Sequence, residues 1–210
     1  MAPARPKRPP LTRGAVIAAG LALADEIGIE ALSMRKLGDA VGVEAMSLYN
    51  HVRNKDDLLD GLVDAVFAEI RFDASRPWRA AMHERAHSAR AALLRHRWAV
   101  GLLDSRTNPA PATLAHHDSV LGCLRRSGFT VEQAAHTFAL LDSYTYGFVI
   151  QEVALPFDDG DDVAAVATEI LPTDMGEIYP HLAELTAEHV MQVGYSFSSE
   201  FDWGLAVVLD

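Results

Sequence analysis

The stretch SMRKLGDAVGVEAMSLYNHVRNKDDLL, residues 33 to 59, crowds helix starts and stops so closely that few folds accommodate it. Ser33 is placed to cap MRKLGDAVG, in which Leu37 and Val41 share a face and Gly42 can supply the positive φ that ends a helix. EAMSLYNHV follows almost at once as a second short helix. Asn54, with Asp57 three residues on, reads as the N-cap of a longer one, KDDLLDGLVDAVFAEIR. Upstream, TRGAVIAAGLALADEIG has an N-cap at Thr12, apolar residues at Val16, Ile17, Leu21, Leu23, Ala24 and Ile27, and a stop at Gly28. Two short helices joined through VGV, the first ending at a glycine, predict a helix-turn-helix.

Beyond residue 71 the pattern remains helical. Pro77 opens a helix over 78–98, and Pro109 or Pro111 precedes ATLAHHDSVLGCLRRSG. Thr130 with Gln133 forms a capping box for a long helix from Val131. PFDDGDD, from Pro156, reads as an acidic loop. Helices are expected near 161–171 and 176–192, and a last one near 196–209. No strand-like alternation or internal repeat interrupts the series, so the fold class expected is all-α.

Charge divides the chain. The net formal charge is −11, yet residues 1–55 hold eight Lys and Arg against five Asp and Glu, and residues 56–210 hold ten against twenty-four. Every lysine lies at or before Lys55. An acidic body is repelled by phosphate, whereas a small basic head attracts it. The expected organisation is a basic arm over 1–11, a helix-turn-helix domain over 12–56 and a larger helical domain over 57–210. The arm's Arg5, Lys7 and Arg8, together with Arg13, would track a groove or the backbone of DNA or remain a solvated tail. Cys123 is the only cysteine, which rules out an intramolecular disulfide, and no apolar run reaches the ~18 residues of a membrane span. A soluble, cytoplasmic protein with no membrane partner is expected.

In a helix-turn-helix the first helix braces the second so that the second enters the DNA major groove. In EAMSLYNHV, Leu48 is the apolar anchor; the small, hydroxyl, amide and imidazole groups around it suit base edges and phosphates. The order of these elements over residues 12–62, with the glycine after the first helix, the Ser33-Met34-Arg35 start, the GV turn, LY.HV and NKDDLL, resembles the DNA-binding domain of the tetracycline-repressor (TetR) family of transcriptional regulators. That resemblance implies DNA contact by Arg35, Ser47, Tyr49, Asn50, His51 and Lys55, with Lys36, Ala45 and Met46 beside them. By their chemistry Arg35, Tyr49, His51 and Lys55 suit phosphate, and residues 45–47 with Asn50 lie nearest bases. The double-stranded DNA expected is a palindromic operator.

From Trp78 onward the chain is similar to the family's regulatory domain, on the ALLR.R helix, Gly128-Phe129 and the long helix after them. The resemblance implies a pocket for a small organic effector and a homodimer joined through two C-terminal helices of each subunit. Pocket positions fall at Arg85, Ala89, Leu103, Arg106, His117, Val120, Phe138, Asp142 and Gln151. Leu103 and Gln151 match the histidine and glutamate through which magnesium-bound tetracycline is held, and neither would serve. The arginines would suit an anionic or carbonyl-rich aromatic ligand, pair with Asp142 or reach solvent. The dimer faces expected are Phe138, Leu141, Tyr144, Thr145, Phe148 and Val149 on one helix and Phe197, Phe201, Leu205, Val208 and Leu209 on the other, with Gly147 and Gly204 allowing close approach.

No cofactor and no enzymatic activity are expected. One motif argues otherwise. HERAH matches H-E-x-x-H, which would set His83 and His87 on zinc with Glu84 as general base of a hydrolase. Against it, Arg85 puts a cation beside the metal, and if Arg85 faces a pocket the two histidines lie about 200° around the helix. His116, His117 and Asp118 are best explained as polar positions on an amphipathic helix.

Overall fold

The computed structural model describes residues 10–103, 109–156, 166, 169, 171–172 and 174–210. Among these, regular structure is helical throughout. The chain forms two compact units, residues 1–135 and 136–210.

The first unit opens with α1, Arg13–Ile27, whose first turn is capped by the Thr12 hydroxyl accepting from the Ala15 N–H at 3.2 Å. Helix α2, Met34–Val41, is capped by Ser33 on the Lys36 N–H (3.2 Å) and ends at Gly42, with φ 69° and ψ 42°. Helix α3, Ala45–Leu48, is a single turn. It falls short of the expected 44–52, because Tyr49, Asn50 and His51 bond three residues back and the chain tightens towards Val52. Helix α4, Lys55–Glu69, is capped by Asn54, whose side-chain oxygen accepts from the Asp57 N–H at 2.8 Å. Val16, Ala24, Leu32, Leu37, Leu48, Val52, Leu58 and Leu62 form the core that these four helices share.

Helix α5, Trp78–Arg95, and α6, Pro111–Arg126, pack on α4 and on each other. The charge change near residue 56 therefore falls at the start of a helix packed on both sides, and the break in packing comes later in the chain. Two details position these helices. The Asp64 carboxylate of α4 accepts from the N–H (2.9 Å) and hydroxyl (3.0 Å) of Thr113, satisfying a donor at the start of α6. At the end of α5, His96 turns out of helical geometry (φ −113°, ψ 58°), so the helix stops short of the expected residue 98 and a 3₁₀ turn, Arg97–Ala99, follows.

Helix α7, Val131–Val153, begins at the capping box: Thr130 N–H to the Gln133 side chain at 2.8 Å and Gln133 N–H to the Thr130 hydroxyl at 3.1 Å. In the second unit it packs on α10, Phe197–Leu209. Tyr144 stacks on Phe201 with centroids 5.5 Å apart and donates to the Phe201 carbonyl at 2.8 Å; Phe148 stacks on Phe197 at 4.8 Å. Between them lie α8, Met175–Ile178, α9, Pro180–Leu185, and one wide π turn, Thr186–Val190. The single helix expected over 176–192 is broken because Pro180 disfavours the α conformation at Tyr179, which sits at φ −131° and ψ 66°. Most of the helix expected near 161–171 and most of the acidic loop lie outside the described residues.

The stripe expected to meet a second copy is largely packed within the chain itself. Leu141, Thr145, Phe148, Val149, Phe201, Leu205 and Leu209 are buried, and a Cβ on Gly204 would overlap the Tyr144 ring. The exposed large apolar groups are Val131, Leu140 and Ile150 on α7 and Trp203 and Val207 on α10. Both helices are apolar on two faces, and periodicity did not distinguish which one meets the chain's own core.

Candidate functional site

The surface carried by α2, α3 and the start of α4 follows from one close approach. A Cβ on Gly38 would lie 2.8 Å from the Val43 carbonyl oxygen and 3.1 Å from the Ala45 nitrogen, so α2 presses its backbone directly on the turn into α3. Leu48, fully buried, pins α3 from beneath. The remaining positions face outward. Met46 is 75% and Tyr49 43% exposed. Arg35, Lys36, Asn50 and Lys55 are exposed, and Ala45, Ser47 and His51 are half-buried. The DNA-contact residues marked from sequence on α2, α3 and the start of α4 are thus all exposed or half-buried. Arg53 joins them: its side chain is 84% exposed. Sequence reasoning passed it over, although a cation between the second short helix and the next N-cap was visible.

Arg13 is not part of a free arm. Its guanidinium grips the Asp57 carboxylate through two nitrogens (2.9 and 3.0 Å) and donates to the His51 carbonyl at 3.0 Å. Those bonds from Arg13, aided by the Arg53 N–H at 2.7 Å, hold the Asp57 carboxyl at about 2 against the opposing effect of burial. The network ties the start of α1 to the exit of α3 and the start of α4. Arg5, Lys7 and Arg8 lie outside the described residues.

In the same unit, α5 and α6 bury a cation. Arg85 is 2% exposed, and its Nε donates to Nε2 of His116 at 2.9 Å. Burial, then the neighbouring Arg85 and His117, depress His116 from 6.5 to about 3, so it is neutral and accepts at Nε2. His116 is therefore not a polar surface position. The signal was present: Thr113, His116, Val120 and Cys123 recur on one helical face, and all are buried. Ala89 and Val120 are buried nearby on the same two helices, while His117 is half-buried with its ring edge-on to Phe67 at 5.5 Å. Leu103 is half-buried, and Arg106 lies outside the described residues. Phe138 and Asp142, both half-buried, and Gln151, exposed, belong to α7 in the second unit.

The HERAH histidines stand with ring centroids 4.5 Å apart, His83 exposed and His87 half-buried. Glu84, which a zinc hydrolase would need as a free base, is ion-paired with Arg76, and Arg85 between them turns into the core.

Residues 16–62 match the family model described as bacterial regulatory proteins, tetR family, and residues 73–210 match that described as tetracyclin repressor-like, C-terminal domain. An HTH-type transcriptional regulator of Saccharopolyspora erythraea is 34% identical over 178 residues, spanning 84% of this chain and 75% of that one. The tetracycline repressor protein class E of Escherichia coli is 32% identical over 196 residues, 89% of this chain and 90% of that one. Among solved structures, ActR of Streptomyces coelicolor in complex with actinorhodin matches with a TM-score of 0.76 at 25% identity, covering 96% of this chain and 94% of that one.

Proposed function

Because this chain belongs to the TetR family of bacterial regulators, we propose that it is a transcriptional repressor that binds a palindromic operator as a homodimer and leaves it when a small organic effector binds. The observation that carries this reading is the short α3, braced through Gly38 and pinned by Leu48, with Met46 exposed and Ala45 and Ser47 half-exposed among exposed cations. In this reading Ala45, Met46, Ser47 and Asn50 meet base edges, and Arg35, Lys36, Tyr49, His51, Arg53 and Lys55 meet phosphates. Residues 12–56 are the DNA-binding domain and 57–210 the effector-binding and dimerisation domain.

Buried Arg85 supports an effector with an anionic or carbonyl-rich aromatic body, since a guanidinium out of water favours planar oxygen acceptors. Ala89, Val120 and His117, on the same two helices, would shape the site around it. Leucine and glutamine at 103 and 151 argue against magnesium-bound tetracycline. ActR, solved in complex with actinorhodin, offers a precedent for a small molecule bound on this fold. Such an effector acts only through different affinities for the operator-competent and operator-incompetent states.

Dimerisation supplies the second recognition helix, about 34–36 Å away along the duplex. The exposed faces of α7 and α10, with Leu140, Ile150, Trp203 and Val207 beside the open surface at Gly147, are the surface proposed for it. Selection of bound genomic fragments tests the reading: an enriched palindrome is expected, and its absence at every salt concentration would remove the regulator. Sedimentation of Ile150→Asp with Trp203→Asp tests the interface: a monomer is expected, and an unchanged dimer would move the interface elsewhere.

A further inference from the structure

His96 sits where three helix ends converge. Asp25 lies in the last turn of α1, Glu69 is the last residue of α4, and His96 itself ends α5. The ring is nearly buried, at 7% side-chain exposure, and neither of its nitrogens faces a neutral acceptor. Nδ1 is 2.8 Å from Asp25 Oδ1, and Nε2 is 3.1 Å from Glu69 Oε1. The other groups at this junction are donors turned to the same carboxylates. The Trp98 indole N–H meets Asp25 Oδ1 at 2.7 Å, and Arg95 meets Glu69 Oε2 at 2.5 Å.

A neutral imidazole carries one N–H; its other nitrogen is a lone pair. With a carboxylate at each nitrogen, a neutral ring satisfies one of them and opposes the other with like electron density. The imidazolium donates to both. Glu69 is ionised here, because the bonds from Arg95 and His96 outweigh burial and lower its carboxyl below the usual range.

We propose that His96 is a protonation-dependent joint: as an imidazolium it fastens the ends of α1 and α4 to the end of α5, and on losing a proton it lets go of one carboxylate. α1 frames the helix-turn-helix and α5 carries Arg85, so the joint lies on the route between the proposed effector site and the proposed DNA surface. A fastened α1 fixes the orientation of α3, and a released one must be reordered on binding, which costs affinity. Loss of the proton as pH rises therefore weakens operator binding. This last consequence rests on the regulator reading; the protonated joint itself does not.

The test begins without DNA. In ring-¹⁵N spectra of the full-length protein at about pH 7, both nitrogens of His96 are expected to carry protons, the signals being assigned by their loss in His96→Gln. One unprotonated nitrogen would overturn the proposal. The Trp98 indole N–H, which reports on Asp25, is expected to shift as pH is raised from about 6 to about 9 in the wild type and to stay put in His96→Gln. The half-exposed Asp25→Asn is a second variant, expected to fold and to blunt the same shift. An indole signal that moves identically in all three proteins would also overturn it. On DNA, wild-type affinity is expected to fall about tenfold more than that of His96→Gln across the range, and parallel profiles would sink the coupling. If no operator is bound at any pH, the regulator reading fails, and the joint is still decided by the ring and indole signals.

Discussion

The α1–α4 head and the α5–α6 pair bury opposite charges and balance them differently. In the head the buried group is a carboxylate, Asp57, answered by a full guanidinium brought in from Arg13 and by the Arg53 N–H just before α4. In the α5–α6 pair the buried group is a guanidinium, Arg85, bonded to a histidine stripped of its proton. The first arrangement ties the start of α1 to the exit of α3 and the start of α4. The second sets a buried cation against a neutral imidazole, between two helices of the same unit.

The largest effect expected from breaking this contrast comes from the brace itself. Gly38→Ala sets a methyl against the Val43 carbonyl and the Ala45 backbone, neither of which moves without unseating α3. A loss of about 2–4 kcal/mol is expected, with operator binding abolished before the global unfolding transition is reached. Chemical denaturation alongside a DNA-binding assay measures both, and a variant as stable as wild type would show that α2 and α3 can separate cheaply.

Asp57→Asn keeps an acceptor oxygen and removes the charge. A cost of about 1–2 kcal/mol at neutral pH is expected. The pH dependence gives the sign independently. Asp57 titrates at about 2 in the folded protein and near 3.8 unfolded, so the unfolded chain binds the extra proton between those values. The contribution is whole above 3.8 and is lost as pH falls through 2. The acid limb of the stability curve should flatten there in the variant.

His116 sharpens the comparison in a different window. Its folded value of about 3 lies below the ordinary 6.5, so stability should fall as pH drops from 6.5 towards 3, while the unfolded chain takes up the proton. His116→Gln, whose side-chain oxygen can still accept from Arg85, is expected to cost less than about 1 kcal/mol at neutral pH and to remove that slope. If the slope survived, the buried imidazole would not be its source.

The smallest effect on stability is expected where the proposed effect on DNA binding is large. Tyr49→Ala with Lys55→Ala touches exposed side chains and should leave the unfolding free energy within about 0.5 kcal/mol. The same pair should lower the salt dependence of operator affinity by about 0.9 for each phosphate that the protein no longer neutralises. An unchanged slope would assign the phosphates to Arg35, Lys36 and Arg53 instead.

The head was legible because its signals are local. Thr12, Ser33 and Asn54 cap within three residues, and Gly42 ends its helix by its own backbone conformation. What escaped depends on distant partners. Arg13 read as part of an arm because Asp57 lies 44 positions away, and α5 ended early because His96 is held by Asp25, 71 positions upstream. Gly38 gave no cue, since its role exists only once α2 and α3 are folded together. The break before Pro180 was written in the sequence and outvoted by periodicity.

The brevity of α3 bears on how such a protein diversifies. Leu48 alone of its four residues is fully committed to the core, and Met46, Tyr49 and Asn50 carry almost none of the packing. Single substitutions at those three positions can therefore drift in a lineage without destabilising the fold, and under the proposed reading a new operator preference would be reachable through folded intermediates. Gly38, Leu48 and Asp57 are closed to the same drift. The head separates the exposed positions, on which the proposed recognition would evolve, from those on which folding depends.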